Sequence, residues 1–276
     1  MSVNAFTGGF KPSKGLGQNF LIDPRISRKI LDHSGIDGAD VIEIGPGYGA
    51  LTYELAERAA RLVCVEIDEY LYSTLRSTLE LRGALNATLI HGDGLTVDYN
   101  GLITTHFGAG TSPVVCANLP YSTGVALLTT LLNAKRFNRI TVMLQQEVAA
   151  RICAVPGTKD YGSFSVFVGY YMEPSILFTV PPTVFSPRPK VTSAVVQLIK
   201  RETRDATDEQ ALFELTRAAF AQRRKTLVNS VASVTSISKD RLASALAELG
   251  LPIDIRGERL SVDDYVELND ILCSSQ

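Results

Sequence analysis

No two cysteines in this chain stand in a C-x-x-C pair, and its three histidines do not cluster. The four cysteines (Cys64, Cys116, Cys153 and Cys273) are far apart, and Cys64 and Cys116 sit inside apolar runs that read as strands. Buried free thiols fit that placement better than a disulfide frame. His33, His91 and His106 are too dispersed to suggest a metal centre, so no metal is expected. The N-terminus lacks an apolar signal core, and no apolar run approaches membrane-spanning length. A reduced cytoplasm and no membrane partner are therefore expected. Excess charge is missing too. The 27 Lys and Arg residues face 29 Asp and Glu residues, a formal net charge of -2. This is not a basic nucleic-acid coat, and any such contact must come from a local patch. Neither repeats nor low-complexity tracts occur.

What is present is a 276-residue chain, 45% hydrophobic, enough for one α/β domain with a smaller appendage. A helix is predicted from Pro24 to His33, with Asp23 as its cap and Pro24 in its first turn. Strand-like runs follow at Val41–Ile44, Leu62–Ile67, Ala87–His91, Val114–Ala117 and Ile140–Leu144. Helical stretches at Ala50–Arg58, Tyr70–Arg82 and Val125–Lys135 separate them, the pattern of a parallel doubly wound sheet. After Gly162 the rhythm changes. Phe164–Met172, Ile176–Val180 and Ser193–Ile199 read as strands with no helix between them, so the sheet should end in antiparallel pairing. The polar segment RETRDATDE, residues 201–209, marks the expected domain boundary. Four helices are predicted beyond it: Glu209–Phe220, Lys225–Val234, Arg241–Leu249 and Val262–Leu272.

Between the first strand and its helix lies Glu43-Ile-Gly45-Pro-Gly47-Tyr-Gly49. Glycines there let the backbone turn tightly and approach a ligand. Glu66 ends the next strand beside this loop, where it can accept from ribose hydroxyls. Asp93, in Gly92-Asp93-Gly94, can accept from an adenine amine. The loop alone stays ambiguous, because Gly45, Gly47 and Ala50 also satisfy G-x-G-x-x-A, which a nicotinamide or flavin enzyme would carry.

Asn118-Leu119-Pro120-Tyr121 narrows the chemistry. It follows a central strand, at the sheet edge where α/β proteins bind ligands. The exocyclic amine of adenine is a poor nucleophile, since its lone pair is delocalised into the ring. The Asn118 side-chain oxygen and the Leu119 carbonyl can accept from its hydrogens and draw the nitrogen toward a nucleophilic state. Pro120 holds Leu119 extended, and Tyr121 offers a flat face for a flipped base. A methyl donor with an electrophilic sulfonium carbon needs no strong general base, so the lack of a nearby histidine is no objection.

Taken together these residues resemble the KsgA-type ribosomal RNA adenine dimethyltransferases over nearly the whole chain. The matching segments are Gly17–Leu21, Glu43–Thr52, Asn118–Tyr121, Val180–Val191, Phe220–Thr226 and Arg256–Ser261. The resemblance implies an α/β fold: a Rossmann-like, seven-stranded class I methyltransferase sheet (residues 1–200, with a basic N-terminal segment) and a C-terminal helical RNA-recognition domain (residues 201–276). It implies S-adenosyl-L-methionine held by Gln18, Asn19, Leu21, Gly45, Gly47, Glu66, Asp93 and Asn118. Asn118, Leu119, Tyr121 and a base-stacking Phe185 would do the chemistry on two adjacent adenosines of small-subunit ribosomal RNA. The chain departs from the family at Ser122-Thr123-Gly124-Val125, where an asparagine and a later proline are usual, and at Ser163, where a basic residue is common.

Local basic clusters are consistent with RNA. Between Lys11 and Lys29 there are five basic residues and one acidic. Lys11, Lys14, Arg188, Lys190, Arg223, Arg224 and Lys225 are the expected phosphate contacts. Phe185 reads either as a core-packing residue or as a loop residue, and its proline-rich surroundings favour a surface loop. Two rivals share these motifs: an Erm-type enzyme acting on the large subunit, and a ribosome-assembly binding factor with incidental catalysis. The run Phe220–Thr226 and the long helical C-terminus favour the KsgA type. A monomer working in the cytoplasm is expected.

Overall fold

Residues 18–202 and 205–274 are described by the structure, a computed structural model. Lys11 and Lys14, expected to bind RNA, lie outside the described residues.

The chain enters through a two-residue strand, β1 (Phe20–Leu21). The Asp23 side chain then accepts the Arg25 backbone N–H at 3.0 Å, and Pro24 fills the first position of α1 (Pro24–Asp32). That is the expected cap: the carboxylate satisfies an orphan amide, and proline sits where no donor is needed. Four β–α units follow: β2 (Asp40–Ile44) and α2 (Thr52–Arg58), β3 (Arg61–Glu66) and α3 (Glu69–Leu81), β4 (Ala87–His91) and α4 (Tyr99–His106), β5 (Val114–Asn118) and α5 (Gly124–Ala134). Then come β6 (Arg139–Gln145), α6 (Gln146–Ile152), α7 (Ser163–Tyr171), β7 (Met172–Val180), β8 (Phe185–Ser186) and β9 (Ser193–Lys200).

The seven-stranded sheet has the order β4-β3-β2-β5-β6-β9-β7. Strands β2 to β6 are parallel, and β9 runs antiparallel to β6 from Arg139↔Ile199 to Gln145↔Ser193. The central strands are valine- and isoleucine-rich and buried on both faces, as a sheet covered by helices requires. Strand order reverses between β2 and β5, so the loops leaving their carboxyl ends diverge and open a crevice there. A separate two-stranded sheet pairs β1 with β8, Leu21 opposite Phe185.

Two compact units emerge. The first holds residues 1–149 and 174–200, the second 150–173 and 201–276. The second comprises α7, α8 (Glu209–Phe220), α9 (Leu227–Ala232), α10 (Lys239–Glu248) and α11 (Val262–Ser274), with the end of α6. The cut near residue 201 thus marks only one edge of the helical unit, because 150–173 joins it. The reason is packing. Tyr161, Val166 and Tyr170 share a buried core with Leu212, Leu215 and Val266, and the Tyr161 hydroxyl donates to the Leu260 carbonyl at 2.9 Å.

The structure also corrects the predicted strand Phe164–Met172, which is helix α7 up to Tyr171. An uncharged apolar run rich in aromatic and β-branched residues does not separate a strand from a buried helix. Ser165 settles the start: its hydroxyl accepts the Gly162 N–H at 3.1 Å and donates to the Arg151 carbonyl at 2.6 Å. Helices α4 and α6 were not predicted. α4 contains Asn, Gly and Thr, poor helix formers, and is held by the Asp98 cap and by burial of Tyr99, Leu102 and Ile103.

Candidate active site

The crevice at the strand-order reversal is a cavity of about 270 Å³, lined entirely by residues of the first unit. The glycine loop after β2 forms its floor. Gly45 takes φ +65°, and a Cβ built there would meet no protein atom within 4 Å, so the bare backbone faces open space. Gly47 takes φ +58°, and its missing side chain lets the Phe20 ring approach to 3.0 Å of where a Cβ would sit. Phe20 in turn packs edge-on against Tyr48, with ring centroids 4.7 Å apart, making an aromatic wall.

Glu66 ends β3 on the cavity wall and is 3% exposed. Its Oε2 accepts the Gly47 N–H at 3.0 Å, and its Oε1 accepts the Asp68 N–H at 2.9 Å. Each oxygen keeps capacity for a further donor. Burial raises its pKa, and the backbone donors offset only part of that rise. Gln18 donates to Asp68 Oδ2 at 3.4 Å, and Asp68 also caps α3 through the Tyr70 and Leu71 amides. Asp93 lines the cavity from the neighbouring strand end, after β4, with Oδ1 accepting the Leu95 N–H at 2.9 Å. The Tyr99 hydroxyl anchors this loop by donating to the Gly94 carbonyl at 2.8 Å.

Asn118 closes β5 at the cavity. Its Nδ2 donates to the Asn19 carbonyl at 3.2 Å, which leaves Oδ1 as the acceptor. Leu119 is 1% exposed and donates its N–H to the Met143 carbonyl at 3.3 Å, extending the β5–β6 ladder by one residue. Pro120 and Tyr121 follow on the cavity wall, and the Tyr121 hydroxyl shares a hydrogen bond with Ser193 at the start of β9. Burial raises the Tyr121 pKa, against the lowering effect of that bond.

The family model described as "Ribosomal RNA adenine dimethylase" matches residues 9–272. The chain belongs to the ribosomal RNA adenine dimethylase family. A "Ribosomal RNA small subunit methyltransferase A" of Bacillus cereus (strain AH187) is 44% identical over 271 residues, 96% of this chain and 92% of that protein. The same figures hold for a protein so named in Bacillus anthracis (strain CDC 684 / NRRL 3495). Among solved structures, a dimethyladenosine transferase from Plasmodium falciparum shares the fold with a TM-score of 0.78 and 24% identity, over 90% of this chain and 95% of that one. The 23S rRNA methyltransferase ErmE shares it with a TM-score of 0.67 and 24% identity, over 92% and 99%.

S-adenosylmethionine is the methyl donor of this adenine dimethylase family. The cavity suits it: bare backbone at Gly45, a buried carboxylate with spare acceptor capacity at Glu66, and a second acceptor at Asp93. Gln18, Asn19, Leu21, Gly45, Gly47, Glu66, Asp93 and Asn118 all line one cavity, as do Leu119 and Tyr121.

One expectation changes. Phe185 is not in a surface loop and does not line the cavity; it is 3% exposed and packs with Leu21, Val180 and Val195. Its pairing with Leu21 across β1 and β8 turns it inward, a contact that proline-rich local sequence does not reveal. Arg223 is exposed and also donates, within the second unit, to the Lys159 and Tyr161 carbonyls at 2.7 and 3.0 Å. Arg188, Lys190, Arg224 and Lys225 are exposed. Sequence reasoning missed Glu43, Tyr48 and Thr123 as cavity-lining residues, and Ser193 as the partner of the Tyr121 hydroxyl. Only the aromatic and acidic character of Tyr48 and Glu43 beside the glycine loop could have signalled them.

Proposed function

We propose that this chain dimethylates the exocyclic amines of two adjacent adenosines near the end of small-subunit ribosomal RNA, acting in ribosome biogenesis. The observation that carries the reading is Asn118: its Nδ2 is held by Asn19, so Oδ1 is presented as an acceptor at the cavity. S-adenosylmethionine, when bound, supplies an electrophilic methyl group. The chain's own residues do the rest. Glu66 and Asp93 accept hydrogen bonds and orient the donor. Asn118 Oδ1 and the Leu119 carbonyl polarise the target amine, and Tyr121, pinned by Ser193, gives the base a face to lie on. Phe185 supports this wall from the core, through Leu21.

Small-subunit choice is supported by the Bacillus relatives named for that subunit, which match nearly the full chain. Exposed Arg188, Lys190, Arg223, Arg224 and Lys225, with Lys11 and Lys14, are the proposed phosphate contacts, and residues 201–276 the main part of an RNA-recognition domain. The unpaired thiols of all four cysteines suit a cytoplasmic protein. Among the described residues no helix is long and apolar enough to cross a membrane. We assign a monomer, whose mass in solution should be that of one 29.9 kDa chain.

The test is incubation of unmethylated small subunits with labelled S-adenosylmethionine and mapping of the modified nucleotides. Two adjacent dimethylated adenosines are expected. More efficient methylation of naked large-subunit RNA would replace this reading with the Erm type.

A further inference from the structure

The Leu119 peptide and the Tyr121 ring are both referred to the end of one strand. Strand β6 lies between β5 and β9, parallel to the first and antiparallel to the second. On one side the Leu119 N–H donates to the Met143 carbonyl at 3.3 Å, which holds the tetrapeptide against β6. On the other side Ser193 opens β9 opposite Gln145, and the Gln146 N–H donates to the Thr192 carbonyl at 3.0 Å. Tyr121 bridges the two. Its backbone lies in the turn after β5, its side chain lines the cavity, and its hydroxyl shares a hydrogen bond with the Ser193 hydroxyl. As second neighbours in the sheet, β5 and β9 are on the order of 10 Å apart, so the side chain reaches past the end of β6.

Ser193 is fully buried and does not line the cavity, so it has no contact with a ligand there. A buried hydroxyl needs a partner, and the Tyr121 phenol supplies one. The two ends of this bond are unequal. Ser193 belongs to the sheet ladder, which fixes its backbone, whereas Tyr121 sits in a short turn between β5 and α5. The serine is therefore the fixed point, and the ring is what it positions.

Dimethylation asks two different things of this frame. In each transfer the amine lone pair bonds the methyl carbon, the S–C bond breaks with its electron pair left on sulfur, and one amine proton leaves to solvent. Adenine brings two N–H donors, one for Asn118 Oδ1 and one for the Leu119 carbonyl. The monomethyl product brings only one, because a methyl group has replaced the other hydrogen. Hydrogen bonding to the amine thus falls by half at the second transfer. The face of the base is unchanged, so stacking is not lost. The second transfer leans more on the ring against the base, and on whatever holds that ring.

We propose that Ser193 is a positioning residue, acting through Tyr121, that matters chiefly for the second methyl transfer. The inference rests on the dimethylation reading above. By fixing the Tyr121 hydroxyl, Ser193 sets the tilt of the ring. That tilt decides how well a base held by a single amine hydrogen bond keeps its nitrogen in line with the donor methyl.

The experiment is a time course of methylation of unmethylated small subunits by an excess of the full chain with labelled S-adenosylmethionine. Monomethylated and dimethylated adenosine are resolved after digestion of the RNA, which gives a rate for each transfer. Ser193→Ala should lower the ratio of the second rate to the first by about fivefold, the worth of one hydrogen bond, so that the monomethyl nucleoside accumulates. Tyr121→Phe keeps the ring and removes the same bond from its other end. It should shift the ratio equally, and the double variant should be no worse than either alone. Should Ser193→Ala fail to fold, the ratio in Tyr121→Phe decides. A merely structural Ser193 would lower the melting temperature or slow both transfers alike, with the ratio of the parent. That result overturns the proposal, as do additive effects of the two substitutions. A parent chain that makes no dimethylated adenosine on small subunits would instead overturn the function proposed above.

Discussion

The side-chain amide of Asn118 donates to the backbone carbonyl of Asn19 at 3.2 Å, bridging 99 positions of sequence. One bond thus joins the Asn118–Tyr121 tetrapeptide to Asn19, both on the cavity wall. It also assigns the two ends of the Asn118 amide: the nitrogen is engaged by the Asn19 carbonyl, which leaves the oxygen as the acceptor.

Asn118→Ala removes that polarising oxygen and the tether to Asn19. Because the bond to the amine strengthens in the transition state, the rate should fall more than RNA binding does, by about a hundredfold. Single-turnover rates at saturating subunit and cofactor measure it. A rate within a fewfold of the parent would leave Asn118 with only its tethering role.

Glu66→Ala should weaken S-adenosylmethionine binding by roughly 1.5–3 kcal/mol, the scale of a charge-assisted hydrogen bond. It also leaves the Gly47 and Asp68 amides without their acceptor, so the loop itself should loosen. Calorimetry on the folded variant, beside hydrogen exchange at the Gly47 amide, reads both effects. Unchanged affinity would rule out the ribose contact.

Glu43 makes stability depend on pH with a definite sign. Its folded-state pKa is raised from 4.5 to about 8, so the folded chain holds a proton that the unfolded chain has lost across that window. The contribution is full below the unfolded value and is lost progressively as pH rises toward 8. Glu43→Gln removes the titration. Its melting temperature relative to the parent should therefore climb from pH 5 to pH 8. A constant difference across that range would mean the carboxyl is ionised throughout.

Phe185→Ala should behave as a core truncation and cost about 3–5 kcal/mol of stability. Denaturant unfolding is the measurement. A variant as stable as the parent but slow in methyl transfer would return Phe185 to a stacking role at the base.

Charge reversal at Arg224 and Lys225 should weaken small-subunit binding and flatten its salt dependence, by about one unit of slope for each phosphate no longer neutralised. Cofactor affinity should not change. Arg223→Ala should instead lower the melting temperature, because Arg223 secures the carbonyls of Lys159 and Tyr161. A salt slope unchanged by the reversal would make that turn an ordinary solvated surface.

Much of this protein is written locally. Alternating apolar runs and caps determined the five parallel strands, α1 with its Asp23 cap, and all four helices after residue 208. The glycine loop, Glu66, Asp93 and Asn118–Tyr121 were legible because each lies at a strand end, and topology sends successive parallel strand ends to one edge of the sheet. Only tertiary structure decided that 163–171 is helix, since an uncharged apolar run satisfies either period until a partner surface selects one face. It alone turned Phe185 inward, committed Arg223 to two carbonyls and left Glu43 buried with no cation among the described residues of its cavity. The physical reason is range. Backbone preference and amphipathic period act over a few residues, whereas burial and hydrogen-bond partners depend on segments that meet only when the chain has folded.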